Sequence, residues 1–177
     1  MGPKLILIGP PGAGKSSIGR QLSKVLEVPF RDTDVLVEEK AGKKISDIFV
    51  DDGESAFRKI EREVVLKEIS TGNGVLALGG GSVLDEEVAE KLESLKSNVI
   101  YLEVSISNAA PRVGFNKDRP LLALNPRQQW LQLMEKRRPI YESLATMTIS
   151  TDNKKPDEVA SEIIETISRA SQKSGGQ

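Results

Sequence analysis

Cysteine and histidine are both missing from the 177 residues. Their absence removes disulfides, thiolate nucleophiles, zinc sites of the Cys/His kind and imidazole acid–base catalysis together. A surplus of positive charge is missing too. Lysine and arginine total 25 against 26 aspartate and glutamate, a net charge of -1, so no bulk basic field exists to hold nucleic acid or an anionic membrane. Any anion has to be met by local groups. Long hydrophobic runs are also lacking: the apolar N-terminal stretch from Lys4 to Ile8 is far too short for a signal h-region or a membrane span. The chain is therefore expected to be soluble and cytoplasmic. A lack of cysteine suits secretion equally, so that expectation rests on the missing targeting segment and on the loop described next. The length fits one compact α/β domain and leaves no room for a second. Chemistry falls to carboxylates, lysines, arginines and backbone.

What is present has a clear order. Leu5 to Ile8 is a continuous aliphatic run ending at a Gly/Pro cluster, and Ile18, Leu22, Val25 and Leu26 follow at helical spacing, which predicts strand, loop, helix. A second strand over 28–31, interrupted by Pro29, leads to a helix from Asp34 to Ala41 that Gly42 terminates. Ser46 is placed to cap a short helix. Asp52 or Gly53 opens a longer one, with Phe57, Ile60, Val64, Val65, Glu68 and Ile69 on one face, ending near Gly72. Further strands are predicted over 75–78, 98–104 and 147–150. They alternate with helices over 85–95, capped by Asp85, then 107–113, 127–144 with Pro139 as a kink, and from 156 to about 170. The polar stretch 114–125 has no period and reads as a mobile cover. Residues 1–171 thus form one domain with a lid at about 112–125, and 172–177 form a Ser/Gly-rich tail expected to be disordered. Five strands alternating with helices predict an α/β fold, a parallel sheet covered on both faces, with ligands beyond the carboxyl ends of the strands.

Gly9-Pro10-Pro11-Gly12-Ala13-Gly14-Lys15-Ser16 satisfies G-x-x-x-x-G-K-[ST] between the first strand and the first helix. Its glycines let consecutive N–H groups converge on phosphate oxygens, and the helix N-terminus adds a favourable dipole. Lys15 spans the β and γ phosphates of ATP, the Ser16 hydroxyl can ligate Mg²⁺, and Ser17 adds a polar contact. Gly12, Ala13, Gly14, Lys15, Ser16 and Ser17 are the expected nucleotide-binding residues. The loop alone is shared by kinases, GTPase switches and ATP-driven machines. Asn116-Lys117-Asp118 imitates a GTPase base-recognition element but lacks its spacer residue, and Val99 to Glu103 reads as a core strand rather than a motor's Walker B strand. Asp32-Thr33-Asp34 closes the second strand and puts two acids on one side. One can hold Mg²⁺ through water, a role given to Asp32. The other, Asp34, can accept a proton from an acceptor hydroxyl or orient it. Helix capping by Asp34 alone is the plainer alternative.

The loop, Asp32-Thr33-Asp34, Phe57-Arg58, Gly79-Gly80-Gly81 and Arg119-Pro120-Leu121-Leu122, in that order over nearly the whole chain, resemble the shikimate kinase family. The resemblance implies a P-loop kinase of the adenylate kinase type with a five-stranded parallel sheet and a mobile lid. It implies transfer of the γ phosphate of ATP to the 3-hydroxyl of shikimate, a step of aromatic amino acid biosynthesis. By the same resemblance Asp34 binds ring hydroxyls, Arg58 and Arg137 clamp the carboxylate, and the backbone at Gly79, Gly80 and Gly81 meets the ring. Phe49 and Phe57 form apolar walls. Guanidinium forks suit a planar carboxylate, and bare glycine backbone suits close approach. Glu61 is placed to orient Arg58 at i, i+3. Lys136-Arg137-Arg138 is a basic run, and Pro139 with Tyr141 selects Arg137 within it by resembling Arg-x-Pro-x-Tyr. Arg119 would reach the transferring phosphoryl from the lid. Arg112 resembles the family's adenine-stacking arginine, with Pro156 and Lys154 on the ring's other side, Lys154 the weaker contact because ammonium stacks less well than guanidinium. A nucleoside monophosphate kinase is disfavoured by Ser16, Asp34 and the three glycines. Gluconate kinase is disfavoured by Arg58, the glycines and the Arg119 stretch, and an inactive nucleotide-binding regulator by the intact set Lys15, Asp34, Arg119 and Arg137. Expected partners are shikimate and ATP, without nucleic acid or membrane, and the chain is expected to be a monomer.

Overall fold

Backbone hydrogen bonding in the computed structural model, which describes residues 5–95, 98–113 and 125–176, forms one sheet of five parallel strands. They are β1 (Leu5–Ile8), β2 (Phe30–Asp32), β3 (Val75–Ala77), β4 (Asn98–Glu103) and β5 (Met147–Ser150), in the spatial order β2-β3-β1-β4-β5. The connecting helices are α1 (Lys15–Leu26), α2 (Thr33–Ala41), α3 (Ile45–Asp51), α4 (Glu54–Thr71), α5 (Glu86–Leu95), α6 (Ile106–Val113), α7 (Pro126–Leu144) and α8 (Pro156–Ser174), with a 3₁₀ turn at Ser82–Leu84. Every residue of β1 and of β3 is buried. Alternate residues of a strand point to opposite faces, so both faces of the sheet are covered.

Register places the site. Leu7 pairs with Ala77, and Ala77 in turn with Asp32. Gly9, Gly79 and Asp34 therefore each lie two residues beyond one shared rung. Because parallel strands run the same way, all three emerge at the carboxyl edge of the sheet.

Most boundaries follow from local chemistry. Gly42 ends α2 with φ 70°, the left-handed C-cap expected of glycine. Asp85 accepts from the Val88 N–H at 3.1 Å and so caps α5. Three boundaries differ from the sequence expectation by more than one residue. Strand β2 begins at Phe30, since Pro29 has no N–H to give the ladder and offers only its carbonyl, to the Val75 N–H at 2.9 Å. Ser46 lies inside α3 and does not cap it: the Ile45 N–H is taken by the Glu38 carboxylate of α2 at 3.1 Å. Helix α8 continues to Ser174, past the expected end near Ala170, and takes residues 172–174 of the stretch read as a tail.

Two apolar clusters form the interior. The larger gathers the central strands with Ile18 and Leu22 of α1, Trp130, Met134 and Tyr141 of α7, and Val159 and Ile163 of α8. The smaller, Val37, Ile48, Phe57 and Val64, sits among α2, α3 and α4 and carries the rings of Phe49 and Phe57, centroids 4.9 Å apart. This second cluster gives Asp34 and Arg58 a rigid support of their own.

Gly74 holds the turn into β3 at φ +75°, and a Cβ there would collide with the Pro29 backbone. Both the left-handed backbone and the close approach demand glycine. Gly74→Ala is expected to destabilise the fold by about 2 kcal/mol or more, read as a lower denaturation midpoint at unchanged m-value.

Candidate active site

The loop between β1 and α1 turns through two left-handed glycines, Gly12 and Gly14, both at φ 86°. Lys15 folds back over this loop and donates to the carbonyls of Gly9 at 2.7 Å and Pro10 at 3.1 Å. The ammonium is thus held above the loop that would receive phosphate. Next to it the Ser16 hydroxyl donates to the Asp32 carboxylate. Asp32 also caps α2, accepting from the Asp34 N–H at 3.0 Å. Capping therefore falls to Asp32 and not to Asp34, whose carboxylate is left to point elsewhere. Ser17 is exposed.

The end of β3 is built around missing Cβ atoms. A Cβ on Gly79 would lie 2.7 Å from Asp34 Oδ1 and 2.8 Å from Glu61 Oε2. On Gly80 it would lie 3.2 Å from Pro11 Cδ and 3.3 Å from Arg137 Nη1. On Gly81 it would lie 2.5 Å from Arg58 Nη1 and 2.7 Å from Arg58 Nη2. Two carboxylates and two guanidinium groups thus converge on three consecutive glycines. Thr33, fully buried, fastens this backbone by accepting the Gly79 N–H at 3.0 Å. Tyr141 donates its hydroxyl to the Gly80 carbonyl at 2.5 Å. Burial pushes the Tyr141 hydroxyl well above its ordinary pKa, so it stays a donor across the accessible pH range.

The two arginines differ in their surroundings. Arg58, on α4, is oriented by Glu61 at 2.7 Å and lies over the Phe57 ring, 5.1 Å from its centroid. Glu61 itself is buried. Arg137, on α7, is only 3% exposed, its Nε has no hydrogen-bond partner, and among the described residues no carboxylate forms an ion pair with it. Its neighbours in sequence, Lys136 and Arg138, face outward. Helical geometry makes the selection, because Trp130, Met134, Arg137 and Tyr141 share the buried stripe of α7. A buried guanidinium without a counter-ion is costly, and an anionic ligand is the natural remedy.

At the other end of the loop Arg112, on α6, donates to the Gly12 carbonyl at 3.2 Å, to Thr151 Oγ1 at 3.1 Å and to the Thr151 carbonyl at 3.1 Å. Its plane is thereby fixed between the phosphate loop and the segment that follows β5. Lys154 turns the other way. It pairs with Glu162 of α8 at 2.6 Å and donates to the Ser150 carbonyl of β5 at 3.0 Å. Pro156 is exposed at the first position of α8. Arg119, with the stretch 114–124 of the expected lid, lies outside the described residues.

Thr33, Tyr141 and Trp130 hold the site's backbone, yet residue types alone gave none of them a site role. Thr33 lay in view between two aspartates, and Trp130 and Tyr141 lay in view on the α7 stripe. Their partners are backbone groups, two carbonyls that accept and one N–H that donates, which leave no mark in a sequence.

A family model for shikimate kinase matches residues 11–168. A shikimate kinase of Rhodococcus jostii (strain RHA1) is 49% identical over 93% of this chain and 97% of its own length. One of Thermobifida fusca (strain YX) is 50% identical over 89% of this chain and 91% of its own. Among solved structures, the shikimate kinase of Acinetobacter baumannii in complex with shikimate superposes with a TM-score of 0.91 at 34% identity, covering 96% of this chain and 95% of that one. The phosphate loop, the charged groups gathered on three glycines and these likenesses over nearly the full length agree: the chain belongs to the shikimate kinase family.

Proposed function

We propose that this kinase transfers the γ phosphate of ATP to the 3-hydroxyl of shikimate, and that the residues gathered at Gly79–Gly81 are its acceptor site. One observation carries the assignment of the acceptor site: Arg137 is buried with no carboxylate partner among the described residues, and it converges with Arg58 on adjacent glycines. A substrate carboxylate between the two guanidinium groups would supply the missing counter-charge through paired N–H donors. Glu61 keeps Arg58 turned toward that position. Phe49 and Phe57 wall one side with apolar surface.

Asp34 acts on the hydroxyl that reacts. Its carboxylate stands beside Gly79 and Glu61, and α2 is capped by Asp32, which accepts from the Asp34 N–H. It accepts a hydrogen bond from the 3-hydroxyl and directs the oxygen at the γ phosphorus. A new O–P bond forms, the bond from the γ phosphorus to the β–γ bridging oxygen breaks, ADP leaves, and the hydroxyl proton departs by way of Asp34. Lys15 leaves the Gly9 and Pro10 carbonyls and spans the β and γ phosphates, and Gly12 to Ser17 receive them. Arg119 is assigned to the transferring phosphoryl, and Arg112 with Pro156 and, as the weaker contact, Lys154 to the adenine.

Ser16 and Asp32 fit a Mg²⁺ site, being hard oxygen donors already in contact at the mouth of the loop. Among the described residues no cluster of three or more acidic or other ligating side chains could hold a metal alone. That composition suits Mg²⁺, which takes one or two protein oxygens and completes its shell with water and substrate phosphates. When bound, the ion draws off charge developing on the leaving phosphate oxygens. Among the described residues no helix is long and apolar enough to cross a membrane. A monomer in the cytoplasm completes the reading, supported by the balanced charge and by a site assembled within one chain.

A coupled ADP-release assay with Mg²⁺ and ATP, offering shikimate, gluconate and AMP separately, should show turnover with shikimate alone; turnover with gluconate or AMP would overturn the acceptor. Asp34→Asn should lower kcat by about a hundredfold or more while leaving ADP affinity unchanged, and an unaltered kcat would remove Asp34 from the reaction. Gly81→Ala places a methyl against the Arg58 guanidinium. The side chain can yield, so the fold should keep its stability while KM for shikimate rises about tenfold and KM for ATP holds, a split expected of lost acceptor contacts.

A further inference from the structure

Four consecutive carbonyls of the phosphate loop each have a donor. Gly9 accepts from Lys15 Nζ at 2.7 Å. Pro10 accepts from Lys15 Nζ at 3.1 Å and from the Ala13 N–H at 3.2 Å. Pro11 accepts from the Trp130 indole Nε1 at 2.9 Å, and Gly12 from Arg112 at 3.2 Å. The Lys15 bonds have to break when the ammonium moves onto phosphate. The Trp130 bond has no such reason to break, and it comes from α7, the helix that also carries Arg137 and Tyr141.

Taking the acceptor site as proposed above, we infer that Trp130 is a positioning residue for ATP: its indole N–H pins the Pro11–Gly12 peptide, and α7 holds the phosphate loop in register with the acceptor pocket. The peptide unit is planar and trans, so a fixed Pro11 carbonyl fixes the direction of the Gly12 N–H as well. Pro11 is bonded at its carbonyl and lies near Gly80. Trp130 holds its carbonyl, and its ring Cδ approaches the place where a Cβ on Gly80 would stand to 3.2 Å. Tyr141 holds the Gly80 carbonyl from the same helix. Trp130 and Arg137 are seven residues apart, about 10.5 Å along a helix axis, so one rigid rod links the donor loop to the acceptor clamp. Trp130 is 3% exposed, which keeps water from replacing its bond to Pro11.

Trp130→Phe keeps a large ring and deletes only the N–H. The Kd for ADP, measured by calorimetry without shikimate, should rise about fivefold, and KM for ATP with it, the scale of one net hydrogen bond. KM for shikimate should hold. Unchanged ADP affinity in a destabilised but folded variant would reduce Trp130 to a core residue and overturn the inference, as would equal weakening of both substrates. Should the variant fail to fold, the wild-type protein gives the second test, because Trp130 is its only tryptophan. Its emission should change with ADP and stay constant with shikimate alone, and silence toward ADP would overturn the inference. ADP binding does not depend on the acceptor, so a wild type that binds ADP but fails to phosphorylate shikimate would refute the proposed reaction and leave the loop result standing.

Discussion

Gly79, Gly80 and Gly81 share their space with Asp34, Glu61, Arg137 and Arg58. Asp34, Glu61 and Arg58 occupy volume that a β-carbon would fill and Arg137 would be crowded by one, so the convergence of two carboxylates and two guanidinium groups depends on backbone with no side chains. The same segment is bound from both sides, by Thr33 at its N–H and by Tyr141 at its carbonyl. Glycine backbone is otherwise mobile, and these two bonds make it a fixed floor. The sheet register then brings the floor level with the phosphate loop, since Gly9 and Gly79 stand equally far beyond the paired residues Leu7 and Ala77.

Electrostatics in this chain are local because nothing else is available. With a net charge of -1, the protein cannot attract two anionic substrates by a bulk field. It concentrates cations where the ligands meet instead. Lys15 is stored on loop carbonyls, Arg58 on Glu61, and Arg112 on Gly12 and Thr151. Arg137 differs from these in being buried without an ion pair among the described residues. Without histidine, proton handling falls to a carboxylate, the role proposed for Asp34, while Asp32 caps α2.

Helix α7 ties these parts together. Its buried stripe reaches the phosphate loop through Trp130 and the glycine floor, the proposed acceptor site, through Arg137 and Tyr141. Phosphoryl transfer asks for alignment more than for covalent assistance, and a rod spanning both half-sites is an economical way to hold it. The small cluster of Val37, Ile48, Phe57 and Val64 does the corresponding work for Asp34 and Arg58.

Some of this was legible without coordinates. The phosphate loop, the strand at Met147–Ser150, the C-cap at Gly42 and the alternation that makes the sheet parallel all rest on neighbours a few residues apart, where spacing and glycine placement speak directly. The family resemblance did too, since its motifs keep their order along the chain. Other features belong to the tertiary structure because their partners are far apart or are backbone atoms. Glu38 caps α3 in place of Ser46 only because α2 ends beside it. Asp32 meets Ser16 only once β2 lies in the sheet. Lys154 turned to Glu162, an acid a stacking argument does not consider. Arg137, singled out in sequence only by its resemblance to Arg-x-Pro-x-Tyr, is buried by the inward face of α7, and Trp130 found a proline carbonyl 119 residues away. Local pattern determined which elements form and what chemistry they carry; the packing of α7 and α4 against the glycine floor decided which side chains meet, because only packing brings distant residues to within a hydrogen bond of one another.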